Sequence, residues 1–191
     1  MRVALERVMS LLFLIALPAA IGGIILGPKI ISLVFGESYL PATPSFQVLL
    51  LTLIIDFSAA VLSAAVFAYN KQRNLILYSA IGGGLNVILD LILIPRFGII
   101  GSAWATFGAQ LVSNAYLWHI MNAINKFHIF RHLRKISAGT LGMALVTVAL
   151  SLAHVHVVGT ILISILVYFG ILYLLREPIL REIKLILRPA A

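Results

Sequence analysis

Four polar residues lie within long apolar stretches of the chain and are candidates for chemistry: Asp56, Asn86, Gln110 and Asn114. A charge at the centre of a bilayer costs roughly 3 kcal/mol on insertion scales, so such residues usually face the interior of a helix bundle or a wet cavity. A carboxylate there can take up a proton or contact a polar substrate, and amides can line the same cavity. The structural alternative is that each residue is a polar contact between neighbouring helices.

Two further charged residues, Asp90 and Arg96, flank Pro95 near the end of the third apolar stretch. Opposite charges at this depth tend to pair, so we expect a structural ion pair at the outer face, away from the cavity. Earlier in the same stretch, the glycine triplet at residues 82–84 predicts either the close approach of a neighbouring helix or a bend.

Enzyme and metal-site motifs do not occur in the sequence. The chain contains no cysteine, which excludes disulfides and thiolate metal sites. Its six acidic residues show no metal-ligand spacing, and the H-E-x-x-H, G-x-S-x-G and P-loop patterns are missing. The sequence therefore predicts neither an enzyme nor a bound metal or cofactor.

The composition indicates which solvent surrounds the elements that carry these residues. Of the 191 residues, 62% are hydrophobic and only 10% are charged, whereas soluble domains contain roughly 45–50% apolar and about 25% charged residues. A soluble fold of this length could not bury so much apolar surface. The sequence predicts an all-α integral membrane protein.

Six stretches reach the roughly 20 apolar residues that a membrane-spanning helix needs. They are residues 8–27, 46–69, 75–94, 99–123, 136–155 and 158–175. Pro18 is expected to kink the first helix, since it removes a backbone hydrogen bond. After Gly27 and Pro28 the chain is expected to leave the helix and to form one or two turns in the interface.

The basic residues are distributed very unevenly between the two sides of this six-helix arrangement. Only Lys29 and Arg96 fall on one side. The other side has twelve: Arg2, Arg7, Lys71, Arg73, Lys126, Arg131, Arg134, Lys135, Arg176, Arg181, Lys184 and Arg188. Cytoplasmic loops carry the excess of Lys and Arg, so both termini are predicted to be cytoplasmic in the cell membrane. This asymmetry also explains the net charge of +8 without nucleic acid.

Two basic segments on the predicted cytoplasmic side, residues 126–135 and 177–188, have an amphipathic pattern. Such segments bind anionic lipid, at about 1 kcal/mol per basic residue. The alternative is that they recognise an anionic lipid-linked substrate. We therefore predict a membrane lobe at residues 1–176 and a basic amphipathic tail at residues 177–191.

Two motifs resemble those of polysaccharide biosynthesis proteins. Residues 17–39 read L-P-A-A-I-G-G-I-I-L-G-P-K-I-I-S-L-V-F-G-E-S-Y, which is similar to a proline-containing helix followed by I-x-x-L-x-F-G-x-x-Y. Residues 86–106 read N-V-I-L-D-L-I-L-I-P-R-F-G-I-I-G-S-A-W-A-T, which is similar to N-x-x-L-x-x-x-L-I-P-x-x-G-x-x-G-A-A-x-A-T. On these motifs the chain resembles the oligosaccharide-lipid flippases of the multidrug/oligosaccharidyl-lipid/polysaccharide exporter superfamily over about residues 10–125.

The resemblance implies one lobe, the C-terminal one, of a MATE-like transporter that works by alternating access. Its partners would be a second six-helix lobe and a polyprenyl-linked sugar, whose headgroup enters a polar cavity between the lobes. Family cavities often hold the pyrophosphate with basic residues. None lies mid-membrane here, so that contact would come from elsewhere. Two alternatives stay open: a cation-coupled drug or metabolite exporter with Asp56 as the coupling carboxylate, and a non-transporting scaffold or fragment.

Overall fold

The computed structural model describes residues 2–124 and 130–175, which form six long α-helices. They are α1 (Arg2–Phe35), α2 (Thr43–Ala68), α3 (Gln72–Phe97), α4 (Ile99–Ile124), α5 (Phe130–Leu152) and α6 (Val157–Leu174), with a 3₁₀ helix (Glu37–Ala42) between α1 and α2. The tail at residues 177–191 and part of the basic segment at residues 126–135 lie outside the described residues. The predicted all-α membrane lobe is confirmed.

The first helix is longer than the sequence analysis predicted. α1 continues through both Pro18 and Pro28 to Phe35, so the expected exit at Gly27 and the separate interfacial turns are wrong. The helix ends only at Gly36, whose φ of 93° is a conformation that favours glycine. Contacts from other helices, described below, compensate for the backbone hydrogen bonds that the prolines remove.

The helices are arranged in a row and do not close into a bundle. α1 packs against α2 on one side and against α5 and α6 on the other, while α4 packs between α2 and α3. The row therefore runs α6, α5, α1, α2, α4, α3. Within it α3 is peripheral and has no buried residue. This order leaves one face of α2 and most of α3 without a partner among the described helices.

Two apolar clusters hold the row together. The larger lies at the end of the molecule where α1 and α5 begin, and it includes Met9, Leu62, Leu117 and Met121, all fully buried. The smaller joins α1 to α5 and α6 and includes Leu14, Ile136, Met143, Tyr168 and Leu172.

Basic residues lie at the end that holds the larger cluster. Lys71, between α2 and α3, and Arg73, in the first turn of α3, lie at that end, whereas the turn after α3 lies at the opposite end. Lys71 and Arg73 therefore lie at the opposite end of the molecule from Arg96, as predicted. The side of the membrane that this end faces stays a prediction.

The α3–α4 hairpin is the tightest connection between two α-helices in the described part of the chain. Gly98 alone separates the helices and has a φ of 61°. Three residues later, a Cβ on Gly101 would overlap the Leu93 backbone, with the carbonyl oxygen nearest and the carbonyl carbon at 2.7 Å. Gly101, Ala105 and Ala109 are buried at four-residue spacing, the pattern by which small residues let membrane helices approach closely.

Among the described residues, five helices are long and apolar enough to cross a membrane. α4 is the sixth predicted span. It is as long as α3, at 26 residues, but it is not among these five. Of the glycine triplet, only Gly82 is at a close contact, since a Cβ there would lie 3.2 Å from Ser113 Oγ, while residues 83 and 84 face open space.

Candidate functional site

A polar cluster of Asn86, Asp90 and Thr106 joins α3 to α4. In the amide orientation that satisfies both of its polar atoms, Asn86 donates to Asp90 Oδ2 at 3.2 Å and accepts from the Thr106 backbone N–H at 3.3 Å. The Thr106 hydroxyl donates to the Ser102 carbonyl at 3.0 Å. Asn86 and Asp90 are four residues apart and therefore share one face of α3. The single-residue turn at Gly98 brings Thr106 alongside them.

Asp90 retains a free acceptor. Its Oδ1 is buried and has no hydrogen-bond partner among the described residues. Asp90 lines a cleft of about 310 Å³ together with Val87, Leu91, Ile94 and Pro95. Pro95 has no N–H for the Leu91 carbonyl four residues earlier, so that oxygen has lost its usual helical donor.

This set of oxygen atoms has a definite chemistry. A carboxylate oxygen without a partner, followed in the chain by a carbonyl that has lost its helical donor, can take up a proton or bind a hard cation, which prefers oxygen ligands. Within the described ranges no cluster of three or more His, Cys, Asp or Glu side chains occurs. A cation bound at Asp90 would therefore have one carboxylate and otherwise neutral ligands, which suits a hard, weakly charged ion better than a transition metal.

The predicted ion pair between Asp90 and Arg96 is not formed within the described residues. Arg96 is exposed in the last turn of α3. Because α3 continues as a helix through Pro95, the two residues are six positions apart on one helix and about 120° apart around its axis. Asp90 is bound to Asn86 instead. The structure thus moves Asp90 from the periphery to the contact between two helices.

A second polar contact joins α2 to α4. Asn114 is buried, with 7% of its surface exposed, and its Nδ2 donates to Ser58 Oγ at 2.9 Å. The Ser58 hydroxyl donates in turn to the Ile55 carbonyl at 2.7 Å. Asn114 Oδ1 has no partner among the described residues. Asn114 is therefore a helix-packing contact and not the lining of an open cavity.

Asp56 is exposed on the unpartnered face of α2. Ala60 and Ala64 are exposed on the same face, one and two turns further along. Asp56 is thus the one of the four predicted site residues that is open to a molecule outside the lobe.

The four predicted site residues do not converge on one point. Thr106, the partner of Asn86, and Asn114 are eight residues apart on α4, which is about 12 Å along the helix at 1.5 Å per residue. Gln110 lies half-buried between them on the same helix. The polar residues of α4 therefore contact two different helices, α3 through Thr106 and α2 through Asn114, and the candidate site is the cluster of Asn86, Asp90 and Thr106.

Sequence reasoning missed the roles of Asp90, Thr106 and Ser58, although one signal was present for the first two. In an antiparallel hairpin, residues equally distant from the turn face each other. Asp90 lies eight residues before Gly98 and Thr106 lies eight residues after it, which places the two at one level of the hairpin, and the partner of Thr106 is Asn86, one turn away from Asp90. Ser58 has no comparable signal, because its contact depends on how α2 packs on α4.

We expect Ser58→Ala to lower the free energy of unfolding by about 1 kcal/mol, because Asn114 loses its partner inside the lobe. The thermal midpoint in detergent should fall by about 2–4 °C. Ser79→Ala, which removes an exposed hydroxyl from α3, is the matched control and should leave it unchanged. Equal midpoints for the two variants would show that the Ser58–Asn114 contact does not stabilise the lobe.

Comparisons with known proteins agree on one family. A family model described as lipid II flippase MurJ matches residues 1–175. A solved structure of lipid II flippase MurJ in an inward closed conformation is similar with a TM-score of 0.79 and 25% identity, over 93% of this chain and 40% of that one.

The chain is also 32% identical over 124 residues to the uncharacterized membrane protein MJ1068 of Methanocaldococcus jannaschii. That match covers 60% of this chain and 23% of the archaeal protein. The chain thus spans less than half the length of either relative. The comparisons agree with the resemblance at the level of lipid-linked flippases, and they do not extend to the polysaccharide biosynthesis family.

Proposed function

Because the chain belongs to the lipid II flippase MurJ family, a family of transporters and not of enzymes, we propose that it forms one lobe of a flippase. In this proposal the lobe moves a lipid-linked sugar across the cytoplasmic membrane by alternating access, for the assembly of a cell-surface glycan. The observation that carries the proposal is the family match over residues 1–175, which spans all six helices.

The unpartnered faces of the row support a two-lobe arrangement. The outer face of α3 is strongly apolar, with Ile76 and Leu91 more than 70% exposed, and suits contact with lipid. The unpartnered face of α2 presents the Asp56 carboxylate, which is costly to place against hydrocarbon. We infer that the α2 face lines a wet cavity against a second six-helix lobe.

The charges of the lobe bear on how the substrate would be held. Outside the basic end, the basic residues of the described chain are Lys29 and Arg96. Lys29 Nζ already donates to the Ser151 carbonyl at 2.8 Å. A pyrophosphate in the cavity would therefore obtain its cationic contacts from the second lobe, while this lobe would offer hydrogen bonds to the sugar. The basic end would face the cytoplasm and its anionic lipids.

The test is a flipping assay in liposomes. Residues 1–175 would be joined to the N-terminal lobe of a MurJ protein and reconstituted with a fluorescent polyprenyl-pyrophosphate-linked sugar. Accessibility of the fluorophore to an impermeant quencher then reports flipping. We expect flipping by the joined protein and none by either lobe alone. A well-folded joined protein that moves a soluble dye and not the lipid-linked sugar would instead support the drug-exporter alternative.

A second candidate function, cation-coupled transport, is favoured by the free carboxylate oxygen of Asp90. In the exporter alternative predicted from the sequence, Asp56 is the coupling carboxylate. In the structure, Asp90 is held by the Asn86 amide, lines a cleft and keeps one carboxylate oxygen without a partner, which supports coupling at this residue. Coupling at Asp90 is compatible with a lipid-linked substrate, so the two functions can belong to one transporter.

We expect Asp56→Asn to slow flipping several-fold and to leave the stability unchanged, within about 0.5 kcal/mol, since the side chain is exposed. The charge of Asp56 would act on the substrate or on the second lobe. Ala60→Ser, one turn away on the same face, is the control that changes polarity without removing charge. Full activity of Asp56→Asn in the same assay would remove Asp56 from the transport mechanism.

A further inference from the structure

α1 contains two prolines in its interior, Pro18 and Pro28. Proline has no N–H, so each one leaves the carbonyl four residues earlier without its helical donor. The carbonyls concerned belong to Leu14 and Ile24. In the hydrocarbon core no water can replace the missing donor, and a transmembrane helix tolerates proline where a neighbouring group satisfies the freed backbone.

Both carbonyls receive a side-chain donor from a different helix. The Tyr168 hydroxyl of α6 donates to the Leu14 carbonyl at 2.8 Å. The Gln47 amide of α2 donates to the Ile24 carbonyl, also at 2.8 Å. The two donors come from opposite sides of α1 and are far apart in the sequence. The same arrangement, a side chain of a neighbouring helix that donates to a carbonyl freed by proline, thus occurs twice along α1.

The surroundings of each donor fit this role. Tyr168 is 2% exposed and lines, with Pro18 and Gly22, a largely apolar cavity of about 390 Å³ between α1, α5 and α6. Space for movement therefore lies directly beside the first bond. Near the second bond, a Cβ on Gly27 would come within 3.3 Å of Gln47 Cγ, so the glycine makes room for the glutamine.

We propose that the Tyr168 and Gln47 hydrogen bonds act as latches, that is, as contacts that fix the bend of α1 at each proline. Tyr168 fixes the bend at Pro18 by linking α1 to α6, and Gln47 fixes the bend at Pro28 by linking α1 to α2. α1 connects the α5–α6 side of the row to the α2–α4–α3 side. A change in the bend of α1 at either proline must therefore break the corresponding latch. The latches exist independently of any transport. Their part in a transport cycle rests on the proposed function.

A double-mutant cycle tests the latch without an activity assay. Tyr168→Phe should lower the thermal midpoint of the detergent-purified chain by about 2–4 °C. In a Pro18→Ala background the same change should have almost no effect, because the new N–H at residue 18 takes up the Leu14 carbonyl. Tyr173→Phe, which alters an exposed tyrosine on the same helix, is the matched control and should leave the midpoint unchanged.

Mismatched pairs of substitutions provide a further control for the double-mutant cycle. Tyr168→Phe combined with Pro28→Ala should be additive, since residue 28 frees a different carbonyl. Gln47→Met should show the converse pattern, with its cost abolished by Pro28→Ala and retained with Pro18→Ala. If Tyr168→Phe prevents folding, recovery of folded protein by Pro18→Ala supports the latch. Additive effects for both matched pairs would overturn the proposal.

The flipping assay then tests the role in transport. If α1 changes its bend during the cycle, Tyr168→Phe and Gln47→Met should each change the flipping rate several-fold, and the matching proline substitutions should not restore it. Unchanged rates for both variants, measured beside an active wild-type protein, would limit the latches to a structural role. That result would leave the proposed function standing, whereas an inactive wild-type protein would count against the proposed function itself.

Discussion

Replacement of Gly101 by alanine is expected to lower the yield of folded protein severely. The new Cβ would overlap the carbonyl group of Leu93 in the backbone of α3, which cannot rotate away as a side chain can. Relief requires that the α3 and α4 axes separate close to a turn of one residue. Overpacking of this kind costs about 1–3 kcal/mol, and we expect the upper end because the obstacle is backbone. Size-exclusion profiles and thermal midpoints in detergent measure the effect.

The glycine triplet of α3 supplies the control. Gly83 is also helical, and a Cβ there would meet nothing within 4 Å, so Gly83→Ala should be neutral or slightly stabilising through its better helix propensity. Gly142→Ala is a second comparison, because its new Cβ would meet the end of the Ile171 side chain, which can move. A folded Gly101→Ala protein as stable as Gly83→Ala would mean that the hairpin is looser than the structure shows.

The features that the sequence could predict depend on local properties. Length and hydropathy predicted six helices, and each has a counterpart in the structure within the described residues. The end of α1 was predicted wrongly at Gly27, because the sequence near Pro28 carries a strong stop signal. The group that offsets this signal, the Gln47 side chain, lies on another helix, and no local pattern shows such a contact.

Contacts between helices, which local sequence patterns do not show, also decide the arrangement of the candidate site. Polarity alone singled out Asp56, Asn86, Gln110 and Asn114, but burial separates them, since Asp56 is exposed and Asn114 is buried. Asp90 was assigned to a pair with its neighbour in sequence, Arg96. Its actual partner lies one turn back on α3, and the hydroxyl of Thr106 lies across the hairpin. Spatial partners across a hairpin can be found only once the turn residue is known.

Asp90→Asn is expected to have the largest effect on transport of any change to a side chain of the lobe. The substitution keeps the size of the side chain and a hydrogen-bonding oxygen for Asn86, but it removes the charge and the anionic oxygen that has no partner. Loss of a residue that merely orients a metal ligand already costs about 10–100-fold in affinity. Loss of the carboxylate itself should reduce cation-dependent flipping by at least about tenfold.

The measurement is the flipping rate as a function of cation concentration and of pH, with the joined protein in liposomes. The wild-type rate should rise with one of the two, and Asp90→Asn should be slow and insensitive to both. Arg96→Gln is the matched control, because Arg96 is exposed and makes no ion pair with Asp90 among the described residues, so its response should equal that of the wild type. If Asp90→Asn retains the wild-type dependence while Arg96→Gln loses it, the peripheral pair predicted from the sequence is the functional one. The cluster of Asn86, Asp90 and Thr106 would then serve only to hold α3 against α4.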